Sequence, residues 1–244
     1  MSVTNRSILP RHIAFICDGN GRWANSRGMG RSDGHIAGLY QTQTVVEWCV
    51  DREIPNVSAF LWSTENWKRD SREVGGIMDA VVQYGPGFAD RMHRQGVRLY
   101  HAGLRESIDD QVLKVIDDSM ELTRNNTRAN LCLAFNYGGK ADILQAVAKA
   151  IADSDPATGI CAEQVSQHLL TSPMPDIDYL IRTGNETRIS NFMLWQAAYA
   201  ELHFSEAFWP DFSEEELDRA LLAFHDSATQ RGIGENRTLS HAVA

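Results

Sequence analysis

The chain has 244 residues, of which 43% are apolar and 23% charged, a composition typical of a globular protein with one large core. Its formal net charge is −9, which argues against a nucleic-acid-binding protein because such surfaces are broadly basic. The four cysteines (Cys17, Cys49, Cys132 and Cys161) form no CxxC motif, so we expect neither disulfides nor a zinc site, and a cytoplasmic location. The apolar runs are too short for a membrane span or a signal core.

Short apolar runs alternate with longer helical patterns along the chain. Continuously apolar runs, typical of strands covered on both faces, lie at 12–17, 57–62, 97–102, 131–136, 178–183 and, more weakly, 202–208. Helical patterns lie at 36–51, 71–94, 106–124, 140–152, 161–171 and 190–201. This order predicts an α/β fold, a single domain over residues 1–244 with a mainly parallel central sheet flanked by helices. We expect a loosely ordered tail from about residue 230.

The helical pattern at 71–94 contains Gly85, Pro86 and Gly87. A proline in a helix interior costs roughly 3 kcal/mol and bends or ends the helix. The stretch is therefore either a break between two helices or a functional kink.

Ligands of an open parallel sheet bind beyond the carboxyl ends of its strands, so the segments that follow the strands are candidates for the site. The first strand is followed by "DGNGRW" (18–23), the second by "STENWKR" (63–69) and the fifth by "RTGNETRIS" (182–190). All three segments carry arginine, which suits phosphate oxygens.

The first segment has the residues of an anion cradle. Gly19 and Gly21 let main-chain N–H groups approach a ligand, and a turn that feeds a helix N-terminus attracts anions. Charged donors follow at Arg22, Arg27, Arg31 and His35. The alternative is an Asn-Gly turn with a solvated basic helix.

The segment after the fifth strand repeats this pattern. Arg182 and Arg188 flank a glycine turn, and Ser190 is placed to cap the helix predicted at 190–201. The two arginine-bearing turns predict two phosphate sites, or one diphosphate held from two sides. The alternative for each is an exposed charged turn, and "STEN" would also serve as a polar helix start.

Asp18 is a carboxylate among arginines. It is either a structural ion-pair partner or a ligand of Mg²⁺, which proteins hold by one or two carboxylates together with substrate phosphate oxygens. Glu201, at the end of the helix predicted at 190–201, is a second candidate ligand. A departing diphosphate needs such charge neutralisation.

The sequence resembles the cis-prenyltransferases of the undecaprenyl diphosphate synthase type from about His12 to Phe212. The resemblance is carried, in order, by "HIAFICDGNGRWANSRGMGRSDGHIAG", "FLWSTENWKR", "LAFNYGGKADI" and "IRTGNETRISNFMLWQAAYAELHFSEAFWPDF". It implies a homodimer that uses Mg²⁺ to add isopentenyl diphosphate, with Z geometry, to an allylic diphosphate (dimethylallyl, geranyl or farnesyl). It also implies peripheral membrane contact through a lipid product.

The resemblance also implies roles for individual residues. Asp18 would hold Mg²⁺ and help expel the allylic diphosphate, and Asn66 would act in removing the proton from isopentenyl diphosphate. The allylic diphosphate would be bound through Gly19, Asn20, Gly21, Arg22, Trp23, Arg31 and His35. The matching segment after the second strand adds Ser63, Thr64, Glu65, Trp67 and Arg69. Isopentenyl diphosphate would be bound by Arg182, Arg188, Ile189 and Ser190, with Glu201 linked to Mg²⁺, often across the dimer.

The sequence departs from the family pattern in four places. Asp33 stands where an aromatic or apolar residue is usual, and Gly184-Asn185 replaces a pair of small residues. Residues 228–234 match the family's C-terminal segment only loosely. Gly85, Pro86 and Gly87 fall in the helix that forms a wall of the family's apolar tunnel, which bears on product length.

The resemblance favours a long-chain product over a short-chain or irregular prenyl diphosphate. Two other functions compete with these: a non-catalytic family member that acts as a partner subunit, and a Mg²⁺-dependent phosphohydrolase that uses the same anion cradle.

Overall fold

The computed structural model describes residues 8–155 and 159–231, which form a six-stranded sheet with helices on both faces. The strands are β1 (His12–Ile16), β2 (Asn56–Ser63), β3 (Val97–Ala102), β4 (Ala129–Tyr137), β5 (Tyr179–Arg182) and β6 (Glu201–Phe204). All neighbouring strands are parallel, in the order β3-β4-β2-β1-β5-β6. The predicted α/β fold with a mainly parallel sheet is confirmed.

The α-helices connect the strands and cover the sheet. They are α1 (Asn20–Ser26), α2 (Arg31–Asp51), α3 (Ser71–Arg94), α4 (Asp110–Thr123), α5 (Gly139–Asp153), α6 (Ala162–His168) and α7 (Glu214–Gln230). Helix α7 was not predicted from the sequence. Its start carries a capping box, in which Ser213 Oγ accepts from the Glu216 N–H and the Glu216 carboxylate accepts from the Ser213 N–H.

Strand β1 is buried on both faces, which explains its continuous apolar run. Ile13 and Phe15 pack into the larger core cluster together with residues of α2, α3 and α7. Ala14 and Ile16 face the other side, in the cluster that contains Phe192.

The strand order reverses at β1. The chain passes from β1 to β2 on one side of it and later returns to place β5 on the other side. Such a reversal leaves a crevice at the carboxyl ends of the strands, where ligands of open α/β sheets bind. The fold therefore brings together the segments that follow β1, β2 and β5.

The helix predicted at 190–201 is wrong. Residues 190–200 form successive turns, because Ser190, Asn191 and Met193 have φ of 48°, 63° and 37°. Tertiary contacts hold this backbone: the Asn191 carbonyl accepts from the Gly139 N–H at 2.7 Å, and Phe192 is fully buried. Ser190 is therefore not a helix cap, and Glu201 begins a strand instead of ending a helix.

The break considered at Gly85–Gly87 is also wrong, because α3 runs without interruption through Pro86. Pro86 is exposed, so the Val82 carbonyl that it leaves without an intrahelical donor can be hydrated. Close packing of α3 against α4 favours glycine at position 85, because a Cβ there would lie 2.6 Å from Val115 Cγ1 of α4. The predicted tail from about residue 230 lies almost entirely outside the described residues.

Candidate active site

A cleft of about 610 Å³ opens beyond the carboxyl ends of β1, β2 and β5. Most of the predicted site residues line it: Asp18, Gly19, Asn20, Gly21, Arg22, Arg31, His35, Ser63, Asn66, Arg69, Arg182, Arg188 and Ser190. The other predicted residues are not among its lining residues: Trp23, Thr64, Glu65, Trp67, Ile189 and Glu201. The three arginine-bearing segments therefore meet at one place.

The turn after β1 requires glycine. Gly19 has φ of 104°, and a Cβ on it would lie 2.8 Å from Phe208. The turn is anchored by its neighbour Asp18, whose main-chain N–H donates to Thr183 Oγ1 and whose carbonyl accepts from the Trp209 N–H at 2.9 Å. The first cradle is therefore tied to the segment that follows β5.

The Asp18 carboxylate lies between the two arginine-bearing turns. Its Oδ2 accepts from Nη2 of Arg182 at 2.8 Å, and its Oδ1 lies 3.5 Å from Nη2 of Arg22. Arg182 is only 3% exposed, and its Nη1 also donates to Ser190 Oγ and to the Arg188 carbonyl. Asp18 thus has the ion-pair contacts that a structural role would give it and lines the cleft as well.

The turn after β5 packs directly on the first one. Gly184 has φ of 87°, and a Cβ there would lie 2.8 Å from Arg22 Nη2 and 3.1 Å from the Asp18 carbonyl. Glu186 connects the two turns, because it pairs with Arg22 at 3.7 Å and with Arg188. Glu186 was not predicted from the sequence as a site residue.

The segment after β2 forms the third wall of the cleft. Asn66 Oδ1 accepts from the Ser63 N–H at 2.9 Å, which fixes Asn66 at the edge of the cleft. Glu65 accepts from Asn191 Nδ2, and Trp67 Nε1 donates to Asn136 Oδ1. The contacts of Glu65 and Trp67 therefore hold this segment against its neighbours.

Glu73, on the first turn of α3, is a second cleft residue that was not predicted from the sequence. Its carboxylate accepts from Nη1 of Arg31 and from Nη1 of Arg69, each at 2.8 Å. Burial opposes ionisation of Glu73, but the hydrogen bonds from the two guanidinium groups outweigh it and lower the pKa of the carboxyl group. The Arg69-to-Glu73 spacing of four residues was the available sequence signal.

Unpartnered polar atoms concentrate at the cleft. In the described part of the chain, five buried side-chain polar atoms have no hydrogen-bond partner, and four of these belong to cleft residues: Asn20 Oδ1, His35 Nε2, Trp62 Nε1 and Arg182 Nε. Native proteins rarely leave such atoms unpaired, so this arrangement indicates a site for a polar ligand. Burial, with smaller contributions from nearby Arg69 and Arg31, lowers the pKa of His35.

Asp33, which neither the anion cradle nor the family pattern explains, has a structural role. Its Oδ2 accepts from the Gly30 N–H at 3.0 Å and caps the start of α2. A carboxylate in the first turn is also favoured by the helix dipole.

Glu201 lies at the amino ends of the strands, whereas Asp18 lies beyond their carboxyl ends. It begins β6 and is in register with Tyr179, three residues before Arg182, which places it about 10 Å from Arg182 along the strand direction. Its carboxylate accepts from Ser227 Oγ and pairs with Arg231. Within one chain, Glu201 therefore does not join Asp18.

Two apolar cavities of about 80 Å³ each adjoin the cleft. The first shares Cys17, Asn20, His35 and Leu61 with the cleft. The second lies between α3, α4 and the β3–β4 side of the sheet, and Leu61 lines it as well. An apolar chain bound by its charged end in the cleft would find apolar walls here.

Residues 8–155 and 159–231 contain no group of three or more His, Cys, Asp or Glu side chains placed to hold a metal ion. The same residues include no helix long and apolar enough to cross a membrane.

A family model and two similar proteins point to the same family. A family model described as "Putative undecaprenyl diphosphate synthase" matches residues 16–232. An isoprenyl transferase of Neisseria gonorrhoeae is 42% identical over 243 residues, 97% of each chain. A ditrans,polycis-undecaprenyl-diphosphate synthase of Legionella pneumophila, named as (2E,6E)-farnesyl-diphosphate specific, is 42% identical over 92% of this chain and 96% of its own.

A solved structure agrees with these relatives. Lavandulyl diphosphate synthase from Lavandula x intermedia, in complex with dimethylallyl diphosphate, has a TM-score of 0.84 and 28% identity, and covers 89% of this chain and 95% of its own. The chain thus belongs to the undecaprenyl diphosphate synthase family and is a cis-prenyltransferase.

Proposed function

We propose that the enzyme condenses isopentenyl diphosphate with an allylic diphosphate, with Mg²⁺, to give a prenyl or polyprenyl diphosphate. One observation carries the proposal: two arginine-bearing turns meet on either side of Asp18, above an apolar extension of the cleft. Two diphosphates held side by side in this way would be in reactive geometry.

The chemistry of the donors fits a magnesium site that is completed by substrate. Mg²⁺ takes one or two protein carboxylates and fills its remaining positions with water and phosphate oxygens, so Asp18 with a diphosphate suffices. When bound, the ion would neutralise charge that develops on the departing diphosphate. Asp18 would hold it.

Side chains of the protein would bind the two diphosphates. Arg22, Arg31, Arg69 and His35 would bind the allylic diphosphate, and their donors would stabilise it as it leaves. Arg182, Arg188 and Ser190 would bind isopentenyl diphosphate. Asn66, fixed by Ser63, would contact it where the proton is lost.

We propose that Glu201 acts from a second copy of the chain in a homodimer. Among the described residues β6 is the outermost strand and pairs only with β5, and Leu202 on it is 48% exposed, so β6 could pair with a second copy. Antiparallel pairing of β6 from two copies would bring Glu201 of one copy toward the carboxyl ends of the strands in the other. Sedimentation equilibrium tests the dimer.

The similarity to the undecaprenyl-diphosphate synthase of Legionella pneumophila favours a long-chain product, which we expect the enzyme to release at a membrane surface. A short-chain or irregular product is the alternative, and the likeness to lavandulyl diphosphate synthase supports it.

Product analysis tests the proposal. The purified chain is incubated with labelled isopentenyl diphosphate and with dimethylallyl, geranyl or farnesyl diphosphate, and the products are sized. We expect label in apolar chains only when a primer and Mg²⁺ are present, and long products extended from at least one primer. The absence of incorporation with every primer would contradict the proposal, and release of inorganic phosphate from simple esters would indicate a phosphohydrolase.

A further inference from the structure

Glu73 is a carboxylate inside a site built to bind anions. Its side chain is only 11% exposed, and it lies where it accepts from both Arg31 and Arg69. A negative charge there opposes anion binding by simple electrostatics, so its presence needs a reason.

The geometry supplies one. Arg31 begins α2, and Arg69 follows the short 3-10 helix after β2, so the two arginines reach the cleft from separate elements. Glu73 takes one Nη1 donor from each at 2.8 Å. A guanidinium has five N–H donors, so each arginine keeps donors for a ligand. Without a carboxylate between them, the two cations would repel each other.

A third group completes this arrangement. His35 Nε2 lies 3.5 Å from Glu73 Oε1, too far for a good hydrogen bond, and is one of the buried atoms without a partner. Two guanidinium groups and an imidazole therefore surround Glu73 at one side of the cleft.

We propose that Glu73 is a positioning residue that aims Arg31 and Arg69 at the diphosphate of the allylic substrate. The inference rests on the proposed function. Glu73 does not contact the reacting atoms and acts through the arginines.

A purely structural role is the rival explanation, because the Arg31–Glu73 pair also ties α2 to α3. The chain offers a matched control at the other end of the same helices. Glu47 of α2 accepts two hydrogen bonds from Arg91 of α3, and its side chain is 14% exposed. Glu47 is not among the residues that line the cleft or the adjoining cavities.

The test compares Glu73→Gln with Glu47→Gln in the full chain. KM is measured separately for farnesyl and isopentenyl diphosphate, and binding of a non-reactive thiolo analogue of farnesyl diphosphate is measured by calorimetry. For Glu73→Gln we expect KM for farnesyl diphosphate and Kd for the analogue to rise by about tenfold, with KM for isopentenyl diphosphate within about twofold. For Glu47→Gln we expect both KM values within about twofold of wild type.

Three results would overturn the inference. If net charge alone mattered, Glu73→Gln would bind the analogue more tightly, because it removes a negative charge beside the anion. If Glu73 only tied the helices together, both variants would lower the melting temperature and neither would separate the two KM values. Equal rises in both KM values would also contradict it. Failure of the wild-type chain to use any allylic diphosphate would instead contradict the proposed function.

Discussion

The amino edge of the sheet, at the amino ends of its parallel strands, and the carboxyl edge, at their carboxyl ends, bury polar groups in opposite ways. At the amino edge, both ring nitrogens of His12 are bonded, Nδ1 to the Pro175 carbonyl at 2.7 Å and Nε2 to Ser58 Oγ at 2.8 Å. Asp178 accepts from the main-chain N–H of Arg11 and His12 and from the Arg11 guanidinium. These groups satisfy one another without a ligand.

The carboxyl edge differs. Four buried polar atoms lack partners there, and Asp18, Glu73 and Glu186 share their arginines across three segments of the chain. We infer that the polar contacts at the amino edge stabilise the fold and that the polar groups at the carboxyl edge bind a ligand. Breaking the first should therefore lower stability and breaking the second should lower activity.

The largest effect is expected for Asp18→Ala. It removes the proposed Mg²⁺ ligand and leaves Arg182 without its carboxylate, so incorporation of labelled isopentenyl diphosphate should fall by about 10²–10³-fold. Steady-state assays measure this, and circular dichroism checks that the variant is folded. Activity within a few-fold of wild type would show that Asp18 is a structural ion-pair partner.

At the amino edge, Asp178→Ala should lower the free energy of unfolding by about 2–4 kcal/mol. It removes the acceptor of two main-chain N–H groups, whereas the Arg11 side chain is 38% exposed and can be hydrated, so the lost ion pair adds little. Urea unfolding measures the loss. Activity per folded molecule should not change. A selective loss of activity would contradict the assignment of the amino edge to stability.

The amino edge should also make stability depend on pH. Burial lowers the pKa of His12 from 6.5 to about 4. Between these values the unfolded chain binds more protons, so stability should fall as the pH drops from about 6.5 to about 4, by roughly 3 kcal/mol. His12→Gln should flatten this slope in urea unfolding at several pH values. An unchanged slope would assign the effect to other histidines.

The sequence predicted the sheet and the cleft better than the irregular backbone. The central strands β1 and β5 were recognisable because each is an apolar run covered on both faces, whereas the reversal of strand order at β1 was not predicted from the sequence. The segment 190–200 has helical apolar periodicity, but its left-handed residues depend on contacts with Gly139 and the core, which the sequence does not show.

Two carboxylates of the cleft escaped prediction for a similar reason. Glu73 and Glu186 form ion pairs with arginines on other segments, such as Arg31, which is 42 residues from Glu73. These pairs become evident only in the folded chain. Asp33 was noticed but not explained, because the capping contact with Gly30 becomes evident only once α2 is known to begin at Arg31.

The central claim is that the carboxyl edge holds two separate diphosphate sites, each served by its own arginines. Arg31→Ala and Arg188→Ala test it, since both side chains are exposed and neither should carry much stability. KM for each substrate is measured in both variants. We predict that Arg31→Ala raises KM for the allylic diphosphate by about tenfold and that Arg188→Ala does the same for isopentenyl diphosphate, with the other KM within about twofold. Equal rises in both KM values in either variant would contradict the claim.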